Sequence, residues 1–232
     1  MFGFARNRVS SNPVPFMNET TRQQEKPRPA HVVLIHGLGG SPIVLRPLAY
    51  RIRRCGYTTS TFGYSSWRKS IEHHATSFRR HLDRIESDSA IDRFHIVAHS
   101  MGSIVTRQAL LDSPASKLGR IVMLGAPNQG SPVARLLGNV LPFCKTLRQI
   151  SNHPSSFVRN LPEPQSVEIG IVAARHDRVI PENNSHLSTE SDHVVLFSGH
   201  NGLLVRPAAA RQVVSYLNNG HFQTANRTAE SI

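Results

Sequence analysis

The feature of this sequence that most constrains its fold is an alternation of short apolar runs with longer stretches of helical periodicity. Runs rich in β-branched residues predict strands at 30–36, 57–62, 94–99, 120–124, 168–173 and 193–197. Several are apolar at nearly every position, as expected of strands covered on both faces in a parallel sheet. Between them, apolar residues recur at intervals of three and four, which predicts helices over 44–54, 70–85, 101–111 and 207–217. This pattern is typical of a doubly wound α/β fold, with a mostly parallel sheet of about six strands and helices on both faces.

Length and composition agree with one domain of this class. The chain has 232 residues, of which 39% are apolar and only 2 are cysteines. The length suits a single α/β domain, and the cysteines are too few for a disulfide-stapled scaffold. No run approaches the ~20 consecutive apolar residues of a helix that spans a bilayer, which argues against a membrane-spanning protein.

The ends of the chain differ in composition from its middle. We divide the sequence into a flexible basic arm over 1–29, the α/β domain over 30–218 and a polar tail over 219–232, which is expected to fray. Arg6 and Arg8 resemble the start of a signal peptide, but no apolar segment follows them. We therefore expect a cytoplasmic protein, by default a monomer, in which both cysteines are free thiols.

One long section lacks a clear strand. The segment 127–165 contains several prolines and many Leu and Val residues, and a connection of this length usually carries function. It is interpreted either as a lid or substrate-binding insertion, or as a pair of helices that covers the core. Phe143 in this segment is a candidate substrate-binding residue. Tyr64 and Trp67, after the second strand, either bind substrate as well or pack in the core.

The charge balance is strongly basic. Lys and Arg number 27 against 15 Asp and Glu, which gives a net charge of +12 with neutral histidines. Such an excess points to nucleic acid, anionic lipid or other acidic partners. The basic residues are spread along the chain without the interleaved aromatic residues of a surface that binds single strands, so no specific nucleic acid is expected. Peripheral contact with anionic lipid surfaces remains a candidate interaction.

A serine lies at a predicted junction between strand and helix. The sequence AHSMG at 98–102 is a variant of the G-x-S-x-G nucleophile elbow, with Ala98 in the position of the first glycine. A sharp turn needs small residues on either side of the serine, and the new helix directs backbone N–H groups toward it. The alternative is that Ser100 merely caps the helix.

A glycine-rich turn follows the first predicted strand. The sequence HGLGGS at 36–41 leaves backbone amides free, which suits an oxyanion hole. It has neither the G-x-G-x-x-G spacing nor the GK[ST] ending of nucleotide-binding loops. An activated serine also needs a base and a group that orients the base. His200 and Asp177 each follow a late strand, and Asp192 and Glu182 are the rival acids.

Together these motifs resemble the α/β-hydrolase family, and within it the compact bacterial lipases and esterases. The likeness spans roughly 32–217 and rests on HGLGGS, AHSMG, VMLGAPNQGS at 122–131 and GHNGLL at 199–204. It implies Ser100 as nucleophile, Asp177 as acid and His200 as base, the order of α/β hydrolases. It also implies that the amides of Leu38 and Met101 form the oxyanion hole.

The activity implied by the resemblance is hydrolysis of carboxylic esters by a lipase or carboxylesterase, through an acyl-enzyme intermediate. The substrate would be a small-molecule or lipid ester, and neither a metal nor an organic cofactor is required. The alternatives are a thioesterase or acyltransferase with the same three residues, or an inactive basic protein of this fold that binds membrane or nucleic acid. His73 and His74 are expected on a solvated helix face, because adjacent histidines point apart and lack further ligands.

Overall fold

A computed structural model describes residues 29–67, 69–111, 115–141 and 143–223. All but the last residue of the predicted arm, and most of the predicted tail, lie outside these ranges. The strands are β1 His31–Ile35, β2 Thr58–Phe62, β3 Phe94–His99, β4 Leu118–Leu124, β5 Glu168–Ala174 and β6 Asp192–Leu196. The helices are α1 Arg46–Arg54, α2 Ile71–Ser87, α3 Met101–Ala109, α4 Pro132–Val140, α5 Lys145–Gln149, α6 Phe157–Asn160, α7 Gly202–Val205 and α8 Pro207–Asn219. Short 3₁₀ turns occur at Pro42–Leu45 and Glu182–Asn184.

The strands form one parallel sheet in the order β2-β1-β3-β4-β5-β6, which confirms the predicted fold class. The chain runs outward from β1 to β2 and then returns to the other side of β1 as β3. The strand order therefore reverses between β1 and β3. In open α/β sheets, the crevice beyond the carboxyl ends of the strands at such a reversal is where ligands bind.

Helices cover both faces of the sheet and bury two apolar clusters. On one face, α2 and α3 pack against alternate residues of the strands, such as Val33 and Ile35. On the other face, α1 and α8 cover the intervening residues, such as Val32 and Leu34. Because successive strand residues point to opposite faces, a run that is apolar throughout needs both layers.

The segment 127–165 forms α4, α5 and α6. Leu147, Ile150 and Val158 are buried in the cluster on the α2–α3 side, which fits the interpretation of this segment as a core cover. Arg107 of α3 is 1% exposed and donates hydrogen bonds to the carbonyl oxygen of Leu161 (2.7 Å) and to Asn128. Burial lowers the pKa of the Arg107 guanidinium to about 10. Arg107 is thus hydrogen-bonded to residues near both ends of the segment 127–165.

The start of the predicted tail is ordered, so the prediction of fraying after Asn218 is wrong for residues 219–223. Helix α8 continues to Asn219 and ends at Gly220, whose φ of +78° is a left-handed conformation that favours glycine. Phe222 is buried against Tyr216, and its N–H donates to the Asp192 carboxylate at 2.7 Å. The polar composition of 219–232 gave no indication that Phe222 is buried.

Two local predictions had different outcomes. Cys55 is exposed and Cys144 is buried, and both are free thiols as expected.

The prediction of a solvated face is wrong for His74, which is 2% exposed with its ring centroid 4.6 Å from that of Tyr64. Burial, together with the neighbouring His73, lowers the pKa of His74 to about 4. Among the described helices, none has the length and apolarity needed to cross a bilayer.

Candidate active site

A groove of about 420 Å³ opens beyond the carboxyl ends of β1 and β3, where the strand order reverses. It is lined by Gly37, Leu38, Gly39, Gly40, Ile43, Val44, Pro47, His99, Ser100, His200, Asn201, Leu204 and Val205. The glycine-rich turn after β1, the serine after β3 and the histidine after β6 therefore meet in one place. All three segments follow the carboxyl ends of parallel strands, and the loop after the edge strand β6 reaches past β4 and β5 to the groove.

Ser100 occupies the turn between β3 and α3 in a strained conformation. Its φ of 52° and ψ of −128° make it the one non-glycine residue with positive φ in the described part of the chain. A residue keeps such a sparsely populated backbone conformation only when its surroundings fix it, which is typical of functional sites. The Ser100 N–H donates to the Leu124 carbonyl oxygen at 2.8 Å. Because its hydroxyl caps no helix amide in the structure, the capping alternative is wrong.

The small residues around Ser100 are sterically required. A Cβ atom added to Gly37 would lie 2.7 Å from the Ser100 Cβ, and one added to Gly102 would lie 2.6 Å from the His36 carbonyl oxygen. Both distances are shorter than van der Waals contact allows. Ala98 is completely buried on β3, so its methyl group fits where the motif usually has glycine.

His200 and Asp177 form a buried hydrogen-bonded pair. The distance from His200 Nδ1 to Asp177 Oδ2 is 2.6 Å, and the Asp177 side chain is 1% exposed. The second oxygen, Oδ1, accepts from the N–H groups of Val179 and Ile180, each at 2.8 Å. Burial alone would raise the pKa of Asp177, but the hydrogen bond and the charge of His200, with the two amides, lower it below its usual value.

This pairing fixes the tautomer of His200. Because an ionised carboxylate only accepts hydrogen bonds, His200 Nδ1 carries the proton and Nε2 keeps its lone pair. In the described part of the chain, no hydrogen bond joins the Ser100 hydroxyl to His200, although both residues line the groove. Hydrogen bonds of this kind commonly tighten when substrate binds.

Gly125, within the motif VMLGAPNQGS at 122–131, lies directly against the pair. Its φ is +57°, and a Cβ atom there would lie 3.1 Å from His200 Nδ1 and 3.4 Å from Asp177 Oδ2. In the sequence, only its place in the motif marked Gly125. The structure shows why a side chain does not fit there, since it would contact His200 and Asp177.

The two amides predicted to form an oxyanion hole are unpaired. Among the described residues, none accepts a hydrogen bond from the backbone N–H of Leu38 or Met101. The turn is fixed by its neighbours, since Gly39 N–H donates to Ser66 Oγ (2.8 Å) and His36 Nδ1 to the Gly37 carbonyl oxygen (2.9 Å). Free donors on an otherwise fixed loop can stabilise a developing negative charge.

His99 is a further residue of the site, to which sequence reasoning assigned no chemical role. It is 5% exposed, its ring lies 4.8 Å from that of His200, and its Nε2 is 3.4 Å from the His200 carbonyl oxygen. Burial, followed by the nearby His200 ring, lowers the pKa of His99 to about 3. A neutral His99 therefore donates to the loop that carries His200. Its position before the serine in AHSMG was the available signal.

The three candidate substrate-binding residues lie elsewhere. Among the described residues that line the groove, none is Tyr64, Trp67 or Phe143, and their binding of substrate stays a prediction. Tyr64 packs behind the turn, where its ring stacks on His36 at 4.5 Å and its hydroxyl donates to the His36 carbonyl oxygen at 2.7 Å. Trp67 lies beside Gly39, and Phe143 is 78% exposed between α4 and α5.

The rival acids also lie apart from His200. Asp192 begins β6 at the opposite end of the sheet, where it accepts from the N–H groups of His193 and Phe222. Glu182 starts a 3₁₀ turn whose first carbonyl group accepts from Ser185 Oγ. Of the three candidate acids, Asp177 is the one bonded to His200.

One cluster outside the groove contains metal-ligand side chains. Ligand atoms of His186, Glu190 and His193 lie within 4.8 Å of one another. The two imidazole rings stack nearly parallel at 4.0 Å, so their in-plane lone pairs do not converge on one point. His186 bonds Glu190 at 2.8 Å, and His193 bonds Ser185 at 3.1 Å. We assign no metal to this cluster.

Comparison with known proteins agrees with this fold. The family model of the alpha/beta hydrolase fold matches residues 30–165. The mature form of the Bacillus licheniformis lipase BlEst2 is similar in structure, with a TM-score of 0.65, 16% sequence identity, and coverage of 84% of this chain and 94% of that one. An esterase from Exiguobacterium antarcticum has a TM-score of 0.57 and 15% identity over 82% of this chain and 92% of its own. Lipase B of Aspergillus fumigatus has a TM-score of 0.64 and 12% identity over 82% and 52%, respectively.

Proposed function

This chain belongs to the α/β-hydrolase family, and from that premise we propose that it is a serine hydrolase that cleaves carboxylic esters through an acyl-enzyme intermediate. One observation carries the proposal. A strained serine at a strand–helix turn opens into the same groove as a histidine whose other nitrogen bonds a buried carboxylate at 2.6 Å. This arrangement suits an activated nucleophile.

The first half of the reaction acylates Ser100. His200 Nε2 removes the hydroxyl proton as Ser100 Oγ attacks the ester carbonyl carbon, while Asp177 stabilises the imidazolium that forms. The carbonyl oxygen becomes negatively charged and accepts hydrogen bonds from the free amides of Leu38 and Met101. His200 then gives its proton to the alcohol oxygen as the bond between acyl carbon and alcohol breaks.

The second half releases the acid. Water loses a proton to His200 as its oxygen attacks the acyl carbon, and the same two amides bind the oxyanion again. The bond to Ser100 Oγ then breaks, and the proton returns to the serine. Each step uses only groups of this chain together with water and the ester, so the proposed mechanism needs no metal or organic cofactor.

The groove walls favour a substrate with an apolar part. Ile43, Val44, Pro47, Leu204 and Val205 surround the opening, so an acyl or alcohol group of hydrocarbon character is desolvated there. The lipases and esterases with similar folds support ester hydrolysis over other reactions of this family. A profile over p-nitrophenyl esters of increasing acyl length measures which chain the groove prefers.

The role of Ser100 is tested by Ser100→Ala with p-nitrophenyl butyrate as substrate. We expect kcat/KM to fall by at least about 10³-fold, because the remaining hydrogen-bond donors cannot replace the nucleophile. Ser41→Ala is the matched control, since Ser41 is an exposed serine of the glycine-rich turn without a side-chain cap. Retained hydrolysis in Ser100→Ala, or labelling of that variant by a fluorophosphonate, would contradict the proposal.

The choice of acid is tested by a pair of isosteric substitutions. Asp177→Asn is expected to lower kcat by about 10³- to 10⁴-fold, because an amide can donate to His200 and favour the wrong tautomer. Asp192→Asn should leave kcat within about twofold, because that side chain bonds backbone groups at the other end of the sheet. A larger loss in Asp192→Asn than in Asp177→Asn would reverse the assignment.

A further inference from the structure

The helices beside the groove carry cations without anions. The sequence contains no Asp or Glu in 29–71 or in 193–223, the two stretches that form α1, α7 and α8. Six arginines of these helices and their flanks form no ion pair with any residue that the structure describes: Arg46, Arg51, Arg53, Arg54, Arg206 and Arg211. We call this set the arginine face. Its charge is left for an external partner.

Three of these arginines surround a second groove. Arg51, Arg54 and Arg211 line a space of about 380 Å³ between α1 and α8, with Pro207 and Val214 among its apolar walls. The guanidinium of Arg51 donates to the carbonyl oxygen of Pro47. Pro47 lines the groove that contains Ser100 and His200, which we call the catalytic groove. The two grooves are therefore neighbours on one surface.

The mouth of the catalytic groove exposes aliphatic side chains on that surface. Ile43 is 58% exposed, Val44 38% and Val205 50%. We call these three residues the apolar rim. Arg46 and Arg206 belong to the same stretches of chain, Arg206 directly after Val205. Aliphatic side chains at an opening, bordered by unpaired cations, match the two layers of an anionic lipid interface.

We propose that the apolar rim and the arginine face form a docking surface for membranes that contain anionic phospholipids. The arginines bind headgroup phosphates, which they match in charge and hydrogen-bond geometry, while the rim enters the boundary with the acyl chains. The residues before Pro29 do not complement this surface, because they carry five Lys or Arg against two Glu. A nucleic-acid surface would have no use for exposed aliphatic residues around its opening.

The docked orientation has a consequence for substrate entry. The catalytic groove opens within the rim, so an ester held in the bilayer reaches Ser100 without crossing water. This step rests on the proposed function, whereas docking itself does not. The experiments below therefore measure binding, in protein carrying Ser100→Ala so that the vesicles stay intact.

The charge contribution is tested by vesicle co-sedimentation. The variant Arg54→Gln/Arg211→Gln is compared with Arg80→Gln/Arg84→Gln, which removes two exposed arginines of α2 on the opposite layer. With vesicles of equal parts phosphatidylglycerol and phosphatidylcholine, we expect the first pair to weaken partitioning by about tenfold to thirtyfold and the second by less than about threefold. Because both pairs change net charge equally, equal losses would overturn the proposal.

The apolar contribution is tested in the same way at high salt, where exposed charges are screened. Ile43→Ser/Val205→Ser is compared with Leu136→Ser/Val140→Ser, which changes two exposed aliphatic residues of α4 (67% and 69% exposed). Loss of the residual binding in the first pair alone supports the rim. Loss in the α4 pair alone would place the apolar contact elsewhere and overturn the assignment.

A native thiol reports the orientation. Cys55 is exposed and lines the second groove between α1 and α8, whereas Cys144 is buried, so a thiol-reactive fluorophore labels Cys55 selectively. Its emission is expected to shift to shorter wavelength with anionic vesicles but not with pure phosphatidylcholine. The same probe placed by Arg80→Cys in a Cys55→Ser background should not shift. Equal shifts at both positions would show that no defined face docks.

Two further outcomes would overturn the proposal. The first is equal partitioning into anionic and zwitterionic vesicles. The second is tighter binding to duplex DNA than to vesicles, lost in Arg54→Gln/Arg211→Gln, which would make the face a nucleic-acid surface. Thermal unfolding of each variant verifies that it folds. Because soluble p-nitrophenyl ester hydrolysis is measured separately, failure of the proposed function and failure of docking remain distinguishable.

Discussion

On one side of the sheet, α2 carries Arg79 within 2.6 Å of Asp83 and 3.2 Å of Glu86. On the other side, α1 contributes arginines to a surface whose two stretches of sequence contain no carboxylate. Basic residues occur on both layers, but neighbouring carboxylates offset their positive charge only on the α2 side. The comparison teaches that a basic composition becomes informative once the positions of the anions are known.

The two layers also differ in what they bury. The α2–α3 layer encloses Arg107 and His74, whose polar atoms need partners inside the protein. The arginines of the α1–α8 layer lie at its surface, where water solvates them. We infer that polar substitutions on the α2–α3 side change stability, whereas those on the α1–α8 side change what the protein binds. Three predictions test this division, in order of decreasing effect.

The largest expected effect is that of Arg107→Leu. The substitution removes the donors to the Leu161 carbonyl oxygen and to Asn128, and a buried acceptor without a donor costs free energy. We expect the free energy of unfolding to fall by about 4 kcal/mol, measured by urea denaturation. Arg211→Leu on the opposite layer should change it by less than about 0.5 kcal/mol. Similar losses in both variants would show that burial does not separate the layers.

The second prediction concerns acid stability through His74. The folded protein keeps the pKa of His74 near 4, mainly by burial, whereas an unfolded chain protonates histidine near 6.5. Between these values the unfolded state binds more protons, so stability is fully present above pH 6.5 and is lost as pH falls toward 4. His74 contributes at most about 3 kcal/mol to this loss.

His74→Phe should make the decline in unfolding free energy over this pH range shallower, because the ring stays while the titrating group is removed. His73→Phe is the control, since His73 is the preceding residue of the same helix and is exposed. Urea denaturation at a series of pH values measures both slopes. The prediction fails if the two variants have the same slope.

The smallest effect compares charge reversals. Arg79→Glu places a third negative charge beside Asp83 and Glu86 and should lower stability by about 1 kcal/mol. Arg54→Glu removes repulsion from a surface without anions and should leave stability unchanged or raise it by about 0.3 kcal/mol. Thermal midpoints measured side by side check the signs. A loss of stability in Arg54→Glu would mean that its surface holds a compensating anion.

Much of the fold was accessible from sequence because strand burial and helix periodicity are local signals. The strand β3 has the predicted bounds, and the largest difference among the other strands is two residues, at the start of β4. The tail was misjudged at Phe222, because one aromatic residue in a polar stretch does not alter its composition. Which face of α2 is buried at His74 likewise depends on Tyr64, which comes from another part of the chain.

The candidate site was predictable where a motif marks the backbone. Ser100, Asp177 and His200 follow strand ends, and because the strands are parallel, all three lie at one edge of the sheet. Residues that act through packing were not predictable. Tyr64 supports the turn from behind instead of lining the groove, and Phe143 lies on the outer surface. Sequence position does not determine on which side of a loop an aromatic ring packs.

The backbone conformation of Ser100 determines which substitution at this position selection for thermal stability would favour. Holding a serine at a φ of 52° costs about 1–3 kcal/mol, and glycine adopts that conformation without a Cβ clash. A library selected for thermal resistance alone should therefore become enriched in Ser100→Gly. When survival also requires ester cleavage, the same substitution should disappear. At this position, selection for heat resistance and selection for turnover act in opposite directions.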